Sequence, residues 1–484
     1  MRSSWVLASF GSLSFAWFAC VGDNPSSIVD PDAPGPDAAS SGNGSSGNLD
    51  AAPDDAGKQA DGEASAPRLD GVLLVTAGDA HTCALDTAGA VYCWGGNGNG
   101  QLGKSPVEVT RSSLPLRVDL GGIVKSLAAG AAHTCAVLAD DVVKCWGKNE
   151  QGQCGRTPFT AYVLPDVVLP AKDPPPPSFR ALKVVAGGND TCALANAEAT
   201  AVLDDARTLY CWGNNLYGQT GTTASPFPQP RPNLIPYDRS NQSSIDLVVN
   251  GAAVGGTFTC ARTYVPSSNS VIKDVILCAG SNFADTRIAD AGASPDLALL
   301  ADAPGDFYVG VGVFALGETH GCLRFLDTTA ANAPAFGCFG GNDFGQGGTS
   351  TSTRRVRPID GVEATAVTDV AARGKVTCVI ESNVVRCFGD NRAGQLGRGT
   401  VDSASHPDVV SVVDLAPQAS HVAVGGSHTC VVLGGGSGQA GQVACWGSNA
   451  SGQLGDGADP SVGYPDAPAA ERTLRSRPVY VRAR

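Results

Sequence analysis

The feature that most constrains this chain is a set of cysteine pairs that recurs along the sequence. Fourteen of the sixteen cysteines fall into seven pairs, and the first members of successive pairs lie 52 to 68 residues apart. A period of this size indicates a repeat architecture, in which each repeat is one supersecondary unit that stacks on its neighbours. The pairs are Cys83 with Cys93, Cys135 with Cys145, Cys192 with Cys211, Cys260 with Cys278, Cys322 with Cys338, Cys378 with Cys387, and Cys430 with Cys445.

Glycine and asparagine recur around each pair. A glycine lies five residues before the first cysteine in six repeats, and the sixth repeat has Arg373 there. After the second cysteine all seven repeats contain Gly-x-Asn, and six continue with Gly-Gln, as in Gly394-Gln395. The fourth repeat departs from this pattern with Asp285-Thr286. Because glycine and asparagine tolerate positive φ, the repeated Gly-x-Asn marks a fixed turn.

The cysteines of each pair are spaced for a disulfide. In the sixth repeat Cys378 and Cys387 sit symmetrically about a two-residue turn, Ser382-Asn383. Opposed residues of an antiparallel hairpin have Cα atoms about 4.5–5.5 Å apart, which a disulfide accepts. Zinc would need four ligands with close Cys-x-x-Cys spacing, which is absent. The pairs therefore predict seven disulfides in an exported chain, while Cys154 takes a leucine position and is expected to be a buried thiol.

The composition and the repeat together indicate an all-β fold. Only 16% of the residues are charged and 61 are glycine, and short Val- and Thr-containing runs broken by Gly, Asn and Pro predict many short strands. The segment GDAHTCALDTAGAVYCWGGNGNGQLG, residues 78–103, and its further copies resemble the repeat of the regulator of chromosome condensation family. The resemblance extends over residues 71–484. It implies a seven-bladed β-propeller with four-stranded antiparallel blades.

A proline-containing segment bears on how the ring closes. Several segments after Gly-Gln-Leu-Gly read Pro-x-x-Val, and a further copy, Pro478 to Val481, ends the chain. The first repeat lacks such a segment, because Pro67 lies too close to Gly78. We therefore expect the C-terminal strand to complete the first blade, so that no sheet edge stays open.

Residues 1–19 are typical of an export signal. Its apolar run is too short for a comfortable membrane span. Ala19 directly before Cys20 resembles the end of a bacterial lipoprotein signal, in which the cysteine becomes lipidated, although Trp17 stands where such signals usually carry leucine. The alternative is an ordinary secretory signal, whose cleavage would remove Cys20 and leave the protein secreted.

Charge separates the next segment from the propeller. Residues 20–70 carry ten acidic and two basic side chains and are rich in Gly, Ser, Pro and Asp, so we expect a disordered acidic tether. Residues 71–484, the predicted propeller, hold 30 basic and 36 acidic residues. No basic stripe is visible, so we expect no nucleic-acid partner.

No motif predicts catalysis, a cofactor or a metal. Four of the six histidines share one repeat position, which other blades fill with Asp190, Phe258 and Val376, so this position favours packing or turn bonding over a metal site. Two Gly-x-Gly-x-x-Gly strings do not open helices, as a dinucleotide site requires. No nucleophile with a partner base is apparent. The four histidines are His81, His133, His320 and His428.

We therefore expect a monomeric binding protein of the cell envelope, an outer-membrane or cell-surface lipoprotein that contacts the membrane only through its lipid. Its partner is expected to be a protein or a glycan. The alternatives are a secreted enzyme inhibitor or enzyme and a structural envelope component. The best-known member of the resembled family is an exchange factor for a nuclear GTPase, a role that does not transfer to an exported chain. Aromatic and arginine anchors in the loops of the second to fourth blades are the candidate binding residues Phe159, Tyr162, Tyr217, Phe227, Arg231 and Tyr237.

Overall fold

The computed structural model of the protein shows a ring of sheets. It describes residues 67–157, 160–168, 180–196, 207–222, 229–234, 248–264, 275–281, 294–299, 310–327, 333–349, 351, 353–434, 441–464 and 472–483. These residues form seven sheets, each of four antiparallel strands that follow one another in the chain. The all-β, seven-bladed propeller with four-stranded blades is therefore confirmed.

Each blade runs in chain order from its innermost strand to its outermost strand. Blades 1 to 3 consist of β1 (Val72–Ala77), β2 (His81–Asp86), β3 (Val91–Gly96), β4 (Arg111–Val118), β5 (Val124–Ala129), β6 (His133–Leu138), β7 (Val143–Lys148), β8 (Tyr162–Val167), β9 (Ala181–Gly187), β10 (Asp190–Asn196), β11 (Arg207–Gly213) and β12 (Gln229–Leu234). Blades 4 to 7 consist of β13 (Val248–Val254), β14 (Phe258–Tyr264), β15 (Val275–Gly280), β16 (Ser294–Leu299), β17 (Phe314–Leu316), β18 (His320–Asp327), β19 (Ala333–Gly340), β20 (Thr353–Pro358), β21 (Val367–Arg373), β22 (Val376–Glu381), β23 (Val384–Gly389), β24 (His406–Ser411), β25 (Ala419–Val424), β26 (His428–Leu433), β27 (Gln442–Ser448) and β28 (Leu474–Tyr480). The innermost strands contact one another around the ring, and β25 contacts β1.

The seven predicted cysteine pairs are the seven disulfides of the structure. Each pair lies directly opposite in the register of the second and third strands of its blade, and its Cα atoms are 4.1–4.2 Å apart, slightly less than the expected range and nearest the spacing of a non-hydrogen-bonded pair. All fourteen cysteines are buried between neighbouring blades, where they join the hydrophobic core. The bonds join Cys83 to Cys93, Cys135 to Cys145, Cys192 to Cys211, Cys260 to Cys278, Cys322 to Cys338, Cys378 to Cys387, and Cys430 to Cys445.

In most blades the glutamine carbonyl of the Gly-Gln turn connects that blade to the next. Gln395 O accepts a hydrogen bond from Nε1 of the buried Trp446 and another from Oγ1 of Thr429, both at 2.9 Å. The repeated tryptophan and threonine thus satisfy one backbone acceptor of the preceding blade. The other carbonyls that accept from both side chains belong to Gln101, Gln153 and Gln453.

The repeated histidine of one blade bonds to this same threonine, which belongs to the next blade. His320 Nε2 lies 2.8 Å from Oγ1 of Thr377, and that hydroxyl donates its proton to Gln346 O at 2.9 Å. Because a hydroxyl has one proton, His320 Nε2 must carry the hydrogen of this pair, and Nδ1 is unprotonated. The ring lies over Gly317, where a Cβ would overlap it, which explains the glycine at this position in the blades that carry the histidine. The equivalent pairs are His81 with Thr134, His133 with Thr191, and His428 with Thr82.

Burial makes these histidines hard to protonate. Burial, together with the nearby charge of Arg373, lowers the pKa of His133 and of His428 to about 3. Burial alone lowers the pKa of His320 to about 4. Nδ1 of each ring is buried without a hydrogen-bond partner among the described residues, so a second proton there would have no acceptor.

The prediction that the C-terminal strand completes the first blade is wrong. β28 pairs with β27, with Ala444 opposite Tyr480, and is the outer strand of the seventh blade. The Pro-x-x-Val segments are outer strands of the blade that precedes them, as Pro115 in β4 shows. Proline is tolerated there because an edge strand leaves N–H positions unpaired. Instead of sharing a strand, the two ends of the propeller meet through residues 67–69 and 481–483, with Leu69 N donating to Val481 O at 3.0 Å.

Candidate binding face

The two kinds of loop leave opposite faces of the ring. β1 ends and β2 begins on the side where β3 ends, because Ala77 pairs with Thr82 and His81 pairs with Gly95. This side, the turn face, carries the turns between the first and second strands and the loops between the third and fourth strands. The opposite side, the hairpin face, carries the hairpins that join the cysteine strands and the connections between blades.

The Gly-x-Asn turn is held by its own buried side chains. Asn97 Oδ1 accepts from the backbone N of Leu102 at 2.9 Å, and its Nδ2 donates to Lys104 O at 3.0 Å. Gln101 Oε1 accepts from the backbone N of Asn99 at 2.8 Å. The same glutamine bond occurs in the second, third, fifth, sixth and seventh blades. The turn therefore keeps its shape whatever side chains follow the asparagine.

The third blade has a leucine and a tyrosine at the two positions that follow the asparagine of the turn. Leu216 is 50% exposed and Tyr217 is 37% exposed, while the backbone N of Tyr217 is fixed by Gln219 Oε1 at 2.9 Å. The tyrosine position is filled by Asn99, Gln151, Ala393 and Ser451 in blades that make the same turn. The fold therefore does not require this exposed pair, and aromatic residues presented on a rigid turn are typical of interfaces.

The fifth blade has Phe344 at the position of Tyr217, but its ring is covered by cations. Lys375 Nζ lies 4.3 Å from the ring centroid and Arg392 Cζ lies 4.6 Å from it. Arg392 also donates to Asp390 at 2.8–3.1 Å. These cation–π contacts leave Phe344 half-buried, so it offers less apolar surface than the leucine–tyrosine pair.

Arg373 crosses the mouth of the central channel on the turn face. The sixth blade has Val376 in place of the histidine, so no ring lies over position 373 and a side chain fits there. Arg373 Nε donates to Asp79 Oδ1 at 3.1 Å, and its guanidinium donates to Ala129 O at 3.3 Å. These partners belong to the first and second blades, which are not neighbours of the sixth. The departure from glycine thus places a cation across the ring.

A second charged contact lies on the inner strands, and the sequence analysis missed it. His421 Nε2 lies 3.0 Å from Val75 O, and its Nδ1 lies 2.8 Å from Asp369 Oδ2. Burial lowers the pKa of His421, but the Asp369 carboxylate and the Val75 carbonyl outweigh it and raise the pKa above its ordinary value. His421 has no repeated counterpart, so only the register of three strands from the sixth, seventh and first blades reveals the contact.

The structure describes the side chains of two of the six candidate binding residues. Tyr217 is exposed on the turn face, as described above. Tyr162, at the start of β8, is half-buried, and a Cβ on Gly100 of the first blade would lie 3.2 Å from its ring. Tyr162 therefore packs on the neighbouring blade. Arg231 lies in β12. Outside the described residues lie Cys20, Phe159, Phe227 and Tyr237.

Three further features bear on chemistry. Within the described ranges, no three His, Cys, Asp or Glu side chains are grouped so that they could hold a metal ion. No helix in that same part of the chain is long and apolar enough to cross a membrane. Cys154 is buried at the leucine position, and burial raises the pKa of its thiol well above the ordinary value, which leaves it unreactive.

The fold and its rigid, variable turn face define a seven-bladed repeat propeller. Parts of the chain match the Regulator of chromosome condensation (RCC1) repeat. One form of this repeat matches residues 72–101 and 124–153, and a second form matches residues 88–137 and 385–432. The resemblance drawn from the sequence is therefore confirmed.

The similar proteins of known sequence are mostly much longer than the shared region. The E3 ubiquitin-protein ligase HERC2 of Mus musculus is 24% identical over 362 residues, which cover 74% of this chain and 6% of that protein. The ultraviolet-B receptor UVR8 of Arabidopsis thaliana is 32% identical over 156 residues, which cover 32% of each chain. The chain thus spans less than two thirds of either relative.

Solved structures share the fold. Human WBSCR16 aligns with a TM-score of 0.58 at 19% identity, over 81% of this chain and 93% of that chain. Prp20p of Saccharomyces cerevisiae aligns with a TM-score of 0.60 at 16% identity, over 82% and 87% of the two chains. At these identities the likeness establishes the propeller fold alone.

Proposed function

We propose that this protein is an exported, lipid-anchored binding protein that recognises a protein or glycan with the turn face of its propeller. The observation that carries the proposal is the exposed pair Leu216 and Tyr217. The turn beneath them is built by buried asparagine and glutamine side chains, so the pair has no structural task there. Because the backbone is already held, little conformational entropy is lost when these side chains meet a partner.

The seven disulfides support the exported location. Disulfides persist in oxidising compartments and are rare in reducing cytosol. Pairs in all seven blades fit a protein that folds outside the cytoplasm. Lipid attachment at Cys20, with the acidic segment that follows it as the tether, rests on the sequence; the tether would end before Pro67, because residues 67–69 pair with residues 481–483. An attached lipid would hold the propeller at a membrane surface while both faces stay accessible.

The similar proteins favour binding over catalysis. Prp20p is described by its binding to Gsp1p and histones, and yeast RCC1 has been solved bound to Kap60. UVR8 is a receptor. HERC2 is a ligase, but this chain covers only 6% of its length. An enzyme inhibitor would use the same exposed surface against an enzyme partner, and that outcome is included in the test below.

The experiment compares two matched surface variants of the full chain. Leu216→Ser with Tyr217→Ser removes the turn-face pair, and Ile123→Ser removes an isoleucine that is 63% exposed on the hairpin face. Partners captured from an envelope extract are identified by mass spectrometry, and their affinities are measured with purified components. We expect the turn-face variant to bind at least about tenfold more weakly at an unchanged melting temperature, while Ile123→Ser binds normally. The reverse pattern would place the site on the hairpin face.

A further inference from the structure

The seven interfaces between blades can be compared bond by bond, because the same four hydrogen bonds recur. They are a backbone bond between neighbouring turns on the turn face, the histidine–threonine bond, and the threonine and tryptophan bonds to a glutamine carbonyl. The interface between the seventh and first blades has all four. Gly426 N donates to Gly78 O at 3.1 Å, His428 bonds Thr82 at 2.8 Å, and Gln453 O accepts at 2.9–3.0 Å from a tryptophan and a threonine.

The interface between the third and fourth blades has none of the four among the described residues. Asp190 replaces the histidine and Ala279 replaces the tryptophan. Asp190 Oδ1 and Thr259 Oγ1 are both buried there without a hydrogen-bond partner in the described part of the chain. Burial raises the pKa of the Asp190 carboxyl well above its ordinary value and outweighs the hydrogen bonds from Gln219 and the backbone of Asn214.

The other interfaces that have lost repeat residues keep polar links. Between the fourth and fifth blades Gly256 N donates to Gly317 O at 3.2 Å, and Arg262 donates to Gly312 O at 2.9 Å. Between the sixth and seventh blades the carbonyl of Gln395 still accepts its two bonds. What joins the third and fourth blades is an apolar cluster made of Cys192, Leu194, Leu209, Cys211, Val249, Val254, Ala261, Leu277 and Ala279.

We infer that the ring opens between the third and fourth blades, and not where the first and seventh blades meet. Apolar contacts are non-directional and tolerate sliding, whereas each repeated hydrogen bond fixes one blade against the next. Among the described residues, both members of the repeated pair, Asp190 and Thr259, have a buried polar atom without a partner here, whereas at the interfaces with the histidine only its Nδ1 does; the two atoms favour the open state, because water can reach them there. Each blade keeps its own disulfide, so opening separates blades without unfolding them. The propeller thus has a built-in hinge beside the blade that carries Leu216 and Tyr217.

One repeat position provides a matched set of probes. Ala84, Ala136, Ala193 and Ala261 each follow the first cysteine of a blade, are fully buried, and pack against the preceding blade. Each is changed to cysteine in the otherwise unaltered oxidised chain, and alkylation is followed under native conditions, with Cys154 as the common buried background. We expect the Ala261→Cys thiol to react at least about tenfold faster than the other three, since buried thiols react only through local opening.

Two further substitutions test the cause. Asp190→His in the Ala261→Cys chain restores a donor to Thr259 and should slow alkylation. His133→Asp in the Ala193→Cys chain copies the defect into the interface between the second and third blades and should accelerate alkylation there. If Asp190→His fails to fold, the His133→Asp result decides. Equal rates at all four positions, or the fastest rate at Ala84→Cys, where the first and seventh blades meet, would overturn the inference.

Discussion

His428 of the last blade donates a hydrogen bond from Nε2 to the hydroxyl of Thr82 in the first blade, at 2.8 Å. The hydroxyl of Thr82 in turn donates a hydrogen bond to Gln453 O at 3.0 Å. The first and seventh blades are thus joined by the contacts that join consecutive blades elsewhere, and the ring needs no shared strand. One side chain, Thr82, mediates both bonds.

Removing that hydroxyl should weaken ring closure. Thr82→Val keeps the shape of the side chain but leaves the buried His428 N–H without an acceptor. We expect the free energy of unfolding to fall by about 1–3 kcal/mol, because a buried donor is left unsatisfied. Thermal unfolding measures the change, and Thr110→Val, at an exposed threonine, is the control. Identical melting of Thr82→Val and the parent would contradict this account of closure.

The disulfide pattern predicts a simple peptide map. Digestion without reduction should recover seven linked pairs, each within one blade and 9 to 19 residues apart in sequence. Cys154 should be recovered as a free thiol, and only after denaturation, because it is buried. Each loop should add about 2–4 kcal/mol of stability. A link between blades, such as Cys93 with Cys135, would be incompatible with this structure.

Acid should destabilise the ring through its buried histidines. The pKa of His133 and of His428 is lowered to about 3 and that of His320 to about 4, so below the ordinary histidine value the unfolded chain binds protons that the folded chain does not. The free energy of unfolding is therefore unaffected by these histidines above about pH 6.5. It falls as the pH drops toward their pKa values in the folded state, by up to about 1.4 kcal/mol per pH unit for each histidine.

Urea unfolding at about pH 7.5, 6 and 4.5 measures this loss. His320→Gln removes one of the titrating groups, so its stability should fall less steeply with acid than that of the parent. His421 acts in the opposite sense. Its pKa is raised in the folded state, so its contribution to the free energy of unfolding is present at low pH and is lost as the pH rises through that pKa. Stability that does not change across this range would refute the assigned protonation states.

Arg373 should be part of the same acid response. Its charge helps to lower the pKa of His81, His133 and His428. Arg373→Gln keeps most of the length of the side chain and removes the charge, so these histidines should protonate more readily in the folded state. We expect the midpoint of acid unfolding to move to lower pH, measured by circular dichroism. Arg477→Gln, at an exposed arginine of β28, is the control and should leave the midpoint unchanged.

The repeated features were predictable because each is local. Cys378 and Cys387 face each other across a two-residue hairpin turn, so their spacing in the sequence is sufficient to predict that they lie close together. The buried Asn97 and Gln101 organise a turn of a few residues, and their recurrence in the other blades marks them as structural. Seven copies of such local units predict seven repeats, and the resemblance of each copy to a known repeat supplied the propeller fold.

The candidate site was predictable only in part. Tyr217 was recognised as an aromatic residue in its turn, and the structure exposes it. Tyr162 looked equivalent in sequence, but its ring covers Gly100 of the preceding blade. The composition of a loop shows that it has aromatic residues, but it does not show which of them pack against a neighbouring blade.

The sequence by itself determined the blades, their disulfides and their turns, since these depend on residues close together in the chain. Only the tertiary structure decided how the blades join. The strand that contains Pro478 matches an outer strand of either adjoining blade, and the path of the backbone assigns it to the seventh. Arg373 meets Asp79 across 294 residues of sequence. Such contacts arise from the geometry of the closed ring, because side chains from distant repeats converge only at its axis and at the interfaces between blades.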